Sequence, residues 1–309
     1  MATRSSIAEG LFAPHRSRTT VLSNGRIVSF AEFGQPVHGS VPIIYLHGYL
    51  GSRLEVGATR DIKGHVFGFD RPGYGRSDLC DRPSLSAAGD HIRRALDNLE
   101  IDRVAIIGVS AGAPYAAATA AALGTRVTGC LLAAGLGGPD VITDAGGSAI
   151  IFKHLGRMPV LARMYAKGFL GPAHRLGVEQ HFLRQSLESD LKGLRDDDDD
   201  DRIIECMTMS LRAGFERGLD GPLNDLAVLG NSWDFDIRTI TAPVVITHGT
   251  ADRTVPAAHA RWYARQLPHA RVRLVPGERH VSFVANHANE LIAEAQSFAR
   301  TGEVAESPA

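Results

Sequence analysis

Ser110 stands between two glycines in Gly108-Val109-Ser110-Ala111-Gly112, directly after the apolar run Val104-Ala105-Ile106-Ile107. G-x-S-x-G is the pattern of a nucleophile elbow, where a strand turns sharply into a helix with the serine at its apex. The backbone is strained there, so the neighbours must be small. A hydroxyl is a poor nucleophile at neutral pH: it needs a base within hydrogen-bond reach, and the base needs an orienting carboxylate. In an α/β sheet such groups meet at the carboxyl ends of the strands. The chain supplies both after later apolar runs: "VVITHGTADRTVP" carries Asp252 and "VRLVPGERHVSF" carries His280. The order Ser, Asp, His is the one this arrangement requires. Each residue also has a plainer reading. Ser110 can cap a helix, Asp252 can cap the helix after Pro256 or pair with Arg253, and His280 can be an exposed loop histidine.

The elements that must position these groups are legible as alternating patterns. "RTTVLSNGRIVSFAEFG" reads as two short strands around the Asn24-Gly25 turn. "VPIIYLHGY" is an apolar strand ending in His47-Gly48, and "HVFGFDRPGYGRSD" a short strand at 65–69 leading into a Gly- and Pro-rich loop. "SLSAAGDHIRRALDNLEI" has helical spacing with Ser84 as N-cap. Then come strand "RVAIIGV", helix "APYAAATAAAL" and strand "VTGCLLAAG". Short apolar runs alternating with helices predict a mostly parallel sheet covered on both faces. From Gly137 to about residue 236 only helical signals appear, and the α/β pattern resumes with "APVVITHG", a helix near 256–267, "RVRLVP" and a last helix over 283–299. The expected organisation is a core of residues 18–137 and 237–301, a helical insertion over 138–236, and flexible termini at 1–17 and 302–309.

Bulk properties narrow the function classes. The formal net charge is −1, and the mean composition points to neither nucleic acid nor a charged membrane as main partner. Cys80, Cys130 and Cys206 make no disulfide framework and have no metal-ligand spacing. The run Asp196–Asp201 precedes a predicted helix and reads as a solvated loop at a helix start, a calcium loop being the rival reading. The first 20 residues lack an apolar signal core and no apolar stretch reaches membrane-spanning length, so a cytoplasmic location is expected.

In five segments, "HGYLGS" (47–52), "DRPGYGRSD" (70–78), "GVSAG" (108–112), "HGTADRTVP" (248–256) and "GERH" (277–280), the chain resembles the α/β-hydrolase fold family. The resemblance covers 18–137 and 237–300, and the family commonly carries a helical cap where the insertion falls. It implies Ser110 as nucleophile, His280 as general base and then acid, and Asp252 as orienter of His280. It also implies an oxyanion hole made of the backbone N–H groups of Ala111 and Tyr49. An acid after the preceding strand sometimes takes the orienting role in the family, and Asp140 is the candidate for it. His47 is expected to be structural and Asp70 to pin the "DRPGYG" loop; His248 ends a strand and is expected to pack, contact with the site being its other reading; His269 and His287 are less suited to act as base. Two features depart from the pattern. The connection from Tyr45 to His65 is short. Arg279 precedes the histidine, where a guanidinium pointing inward would lower the His280 pKa.

The resemblance implies a serine hydrolase acting on a small to medium apolar ester through an acyl-enzyme. Thioesters, lactones and carbon–carbon cleavage of vinylogous diketones suit the same triad. Haloalkane dehalogenases and epoxide hydrolases need Asp where Ser110 stands. Met158, Leu161, Met164, Phe169, Leu170, Met207 and Met209 either line an apolar acyl tunnel or pack the insertion onto the core. Tyr49, Met158 and Met207 are the pocket candidates. A non-catalytic small-ligand binder of the same fold is the reading from another class. Neither calls for a cofactor or a metal, and the oligomeric state is not legible.

Overall fold

The structure is a computed structural model describing residues 16–145, 147, 149–170, 179–195 and 199–301. The strands are β1 (Arg16–Val21), β2 (Ile27–Gly34), β3 (Ile43–Leu46), β4 (His65–Phe69), β5 (Val104–Val109), β6 (Val127–Ala133), β7 (Val244–Gly249) and β8 (Arg271–Val275). They make one eight-stranded sheet in the order β1-β2-β4-β3-β5-β6-β7-β8. β1 and β2 form an antiparallel hairpin around Asn24-Gly25, where Gly25 takes a positive φ of 79°. The hairpin begins at Arg16, two residues inside the stretch expected to be a flexible terminus. β2 meets β4 antiparallel, and every pairing from β4 to β8 is parallel.

β3, β5, β6 and β7 are buried at every position because helices cover both faces. Successive side chains alternate between the two layers. Ile44, Ile106, Leu132 and Ile246 point to the layer of α1 (Leu85–Asn98), α2 (Gly112–Leu123) and α9 (Ala258–Gln266). Ile43, Ile107, Leu131 and Val245 point to Phe283, Leu291, Ile292, Ala295 and Phe298 of α10 (His280–Thr301). Burying one such side chain stabilises the fold by about 1.5–3 kcal/mol. Ser84 caps α1 as expected, its side chain accepting from the N–H of Ala87 at 3.1 Å. The short β3–β4 connection holds a single 3-10 turn, Glu55–Ala58.

Between β6 and β7 the described residues contain helices and no strand. These are α3 (Pro139–Ala145), α4 (Ile150–Gly156), α5 (Pro159–Tyr165), α6 (Glu179–Leu191), α7 (Asp199–Gly214) and α8 (Asp220–Leu229). The helical signal over 149–170 splits at Pro159, which opens α5, and ends in one π-helical turn, Ala166–Leu170. α7 begins within the acidic run; Asp196 to Asp198 lie outside the described residues, and Asp201 pairs with Arg184. α8 has no counterpart in the sequence reading because its first turn holds Gly221-Pro222, which looks like a loop although proline is accepted there.

These helices are tied to the loops after β3 and β4. The N–H of Ser52 donates to Ser210 Oγ at 2.9 Å, and the N–H of Gly75 to the Gly214 carbonyl at 2.8 Å. Arg53 bonds Glu216 and Asp70, each at 2.8 Å, and Arg71 bonds Asp225 at 2.6 Å. An apolar cluster of Leu191, Ile203, Ile204, Leu211 and Phe215 reaches Leu50 and Val281, which adjoin the loop and helix end of interest. The three cysteines are buried, and none of them is in a disulfide.

Candidate active site

Ser110 follows β5 with a positive φ of 54°, rare for a residue with a Cβ. Such a conformation costs about 1–3 kcal/mol and persists only where its surroundings impose it. Here three backbone bonds do so. The N–H of Ser110 donates to Ala133 O at 2.9 Å, and its carbonyl accepts from Ala113 at 3.1 Å and Leu136 at 3.0 Å. The flanking glycines are required by close approach: a Cβ on Gly112 would lie 2.1 Å from Leu46 O, and one on Gly108 2.4 Å from Ala116 Cβ.

The loops after β7 and β8 are joined along their length. Thr250 N–H donates to Val275 O and Ala251 N–H to Glu278 O, both at 2.9 Å. This brings Asp252 against His280, whose Nδ1 lies 2.6 Å from Asp252 Oδ2. On the other side of the ring, His280 Nε2 lies 2.9 Å from Ser110 Oγ. The structure therefore brings together three residues widely separated in sequence. His280 opens α10 and is not a loop histidine. Asp252 does not cap α9, which has no side-chain cap: its Oδ1 accepts from the N–H groups of Thr254 at 2.9 Å and Val255 at 2.8 Å in the turn ahead of that helix, while Oδ2 faces the imidazole.

Burial disfavours charge on Asp252, but His280 and His248 outweigh it and hold the carboxyl well below the usual carboxylate range. Burial likewise disfavours the His280 imidazolium, and the Asp252 carboxylate overcomes it, so the His280 pKa lies above its ordinary value. Arg279 does not act as feared: its guanidinium turns to the Ser189 carbonyl on α6.

The turn after β3 is clamped from two sides. The half-buried Glu55 carboxylate accepts from Gly48 N–H at 3.1 and 3.2 Å and from the Tyr45 hydroxyl at 2.8 Å. Arg71 Nη2 donates to the Gly48 carbonyl at 2.9 Å. A Cβ on Gly48 would lie 3.4 Å from Ser110 Cβ, so this turn borders the serine. Leu50 carries a positive φ of 64° in the same turn. The Tyr49 ring meets Phe152 of α4 edge-on at 5.0 Å. Ala111 follows Ser110 as the N-cap of α2, so its N–H belongs to the positive end of that helix.

Other residues fall into plainer places. Asp140 accepts from the Trp262 indole at 2.8 Å and lines a surface cleft of about 420 Å³ with Trp233 and Phe235; Ser110, Asp252 and His280 are not among its lining residues. His47 accepts from Arg71 N–H at 3.2 Å, and burial keeps its pKa well below the ordinary value, as a structural role requires. Asp70 accepts from the Arg53 N–H at 2.7 Å and pins its loop. Met207 is half-buried beside Leu50 and Val281. Met158 stands 49 % exposed, because its non-helical backbone before Pro159 turns it outward. Leu161 and Met164 are exposed too, so this methionine-rich stretch does not form the expected apolar lining. The side chains of Phe169 and Leu170 lie outside the described residues.

Four residues that the sequence did not mark take part in this frame, Glu55, Arg71, Asp190 and Asp225, and His248 joins them. Asp190 on α6 accepts from the Val281 N–H at 3.3 Å. His248 is fully buried, with Nε2 2.6 Å from Val255 O and 3.3 Å from Asp252 Oδ2. Two acceptors on Nε2 place the proton there and make His248 a second donor to the turn that holds Asp252.

The sequence model of the Alpha/beta hydrolase family matches residues 37–295. The chain belongs to that family. Its solved neighbours in the α/β hydrolase fold include a thermophilic esterase from Thermogutta terrifontis. That protein is 16 % identical, with a TM-score of 0.65 over 93 % of this chain and 99 % of its own. The esterase RhEst1 from Rhodococcus sp. ECU1013 is 17 % identical, with a TM-score of 0.66 over 93 % and 99 %. An alpha/beta hydrolase fold protein from Nakamurella multipartita is 18 % identical, with a TM-score of 0.65 over 93 % and 100 %. Identities this low carry the α/β hydrolase architecture alone. No curated protein matches the chain in sequence.

Proposed function

We propose that the protein is a serine hydrolase that cleaves small to medium apolar esters through an acyl-enzyme. The observation that carries this reading is the unbroken line from Ser110 Oγ through the His280 ring to Asp252, at 2.9 and 2.6 Å, starting from a serine in a strained turn. Ser110 Oγ attacks the ester carbonyl as His280 Nε2 takes its proton. Asp252 stabilises the imidazolium that forms. The tetrahedral oxyanion is received by the N–H groups of Ala111 and Tyr49, each such donor being worth about 3 kcal/mol in the transition state. His280 passes its proton to the leaving alcohol, and a water activated by the same ring releases the acid. The helices between β6 and β7 act as a cap over this centre, with Met207 and Tyr49 on its apolar wall.

A fluorophosphonate reagent is expected to label the wild type and not Ser110→Ala. No labelling of a folded wild type would instead favour a non-catalytic binder. Hydrolysis of p-nitrophenyl esters of increasing acyl length, compared with a lactone and a thioester, separates ester cleavage from the other reactions this triad supports.

A further inference from the structure

The net charge of −1 hides an uneven distribution. Between Asp144 and Glu179 the sequence carries Lys153, Arg157, Arg163, Lys167 and Arg175 and no acid. Among the described residues, five of the eight large apolar side chains that stand exposed fall in the same stretch: Ile150 (37 %), Met158 (49 %), Val160 (70 %), Leu161 (42 %) and Met164 (64 %). Within α5 and the turn after it, Val160 and Met164 are four residues apart, as are Arg163 and Lys167, and all four are exposed. Ala162 and Ala166 are buried on the inner side. One surface therefore combines aliphatic side chains with cations, and its helix pair rests through Phe152 on Tyr49.

Exposed aliphatic side chains gathered in one short segment are costly in water, and such clusters mark interaction sites. A nucleic acid would engage the cations and leave Val160 and Met164 unexplained. An apolar protein groove would take the aliphatic groups and leave the exposed Arg157, Arg163 and Lys167 facing it. An anionic bilayer surface uses both: aliphatic chains enter the boundary between headgroups and acyl chains, while Lys and Arg meet the headgroup phosphates. We propose that the α4–α5 surface docks the protein on an anionic lipid bilayer, lying on it and not crossing it. No helix among the described residues is long and apolar enough to cross a membrane. Docking does not depend on hydrolysis, so Ser110→Ala is expected to bind as the wild type does.

Co-sedimentation of the full chain tests this with two vesicle types, phosphatidylcholine mixed with phosphatidylglycerol and phosphatidylcholine alone. The expected result is partitioning that is stronger on the anionic vesicles and weakened by added salt. Arg157→Gln and Arg163→Gln should each reduce it roughly fivefold. Val160→Asp should reduce it at every salt concentration. Melting temperature and the rate on a water-soluble short ester are expected to stay at wild-type values in these variants, which reports that they fold. Absence of binding to anionic vesicles overturns the proposal, as does equal binding by wild type, Val160→Asp and the arginine double variant. So does a concentration-dependent dimer, dissolved by Val160→Asp, in a protein that ignores vesicles; that result assigns the surface to a second copy.

Discussion

His280 is pulled in opposite directions: burial favours the neutral ring, while the Asp252 carboxylate at 2.6 Å favours the imidazolium and prevails. Only the neutral ring can take the Ser110 proton. Ester hydrolysis should therefore fall as pH drops through a His280 pKa that lies above 6.5, the ordinary value for this side chain. Asp252→Asn removes the charge that raises it and leaves the burial that lowers it. The acid limb of kcat/KM should then move to lower pH, while kcat falls by roughly 10³–10⁴-fold. Asp140→Asn should change neither, since Asp140 is engaged with Trp262. A pH–rate profile of the three proteins checks this; if Asp140→Asn is the more damaging, the acid has been placed on the wrong strand.

At the scale of elements, the Gly48 turn depends on a residue that no motif announces. Glu55 lies seven residues beyond Gly48 in a plain stretch of sequence, and only the 3-10 turn folds its carboxylate back onto the Gly48 N–H. Glu55→Gln keeps one acceptor oxygen and turns an amide NH2 group toward the second donor, so the clamp on the turn is weakened. We expect kcat to drop about ten- to a hundredfold with KM nearly unchanged, as for a positioning group. Stability should fall by about 1–2 kcal/mol, read from chemical denaturation; an unaltered kcat would show that Glu55 merely packs. The contrast marks what the sequence can reveal. β5, β6 and β7 announce themselves as apolar runs because both their faces are buried, and Ser110, Asp252 and His280 follow strands in a fixed order. Glu55 and Asp190 acquire their roles only when segments distant in sequence meet, and nothing local distinguishes them. α8 was hidden by a proline that a first helical turn tolerates. Met158 misleads for the opposite reason: its composition suits a pocket, but the break at Pro159 sets its direction.

For the whole molecule, Arg71 joins the three parts that must stay in register. It is fully buried, with Nη1 2.6 Å from Asp225 Oδ1 on α8, Nη2 2.9 Å from the Gly48 carbonyl, and its guanidinium carbon 4.9 and 4.7 Å from the ring centres of Tyr74 and Tyr115. The hydroxyls of those tyrosines also donate to Asp225, each at 2.8 Å. A charge removed from water this completely is tolerable only while its partner is present. Asp225→Asn leaves Arg71 uncompensated and should destabilise the fold by about 3–5 kcal/mol. Replacing both, as Arg71→Met with Asp225→Leu, removes the uncompensated charge, so most of that loss should be recovered. Activity should not return with it, because the Gly48 carbonyl has lost its anchor and the adjoining Tyr49 N–H is no longer held. Denaturant melts and ester kinetics on the two single variants and the double variant separate these effects. Stability restored while catalysis stays low identifies Arg71 as the strut between insertion and turn; recovery of both would reduce it to a packing residue, and an Asp225→Asn protein that melts like the wild type would mean the pair contributes nothing to holding the insertion in place.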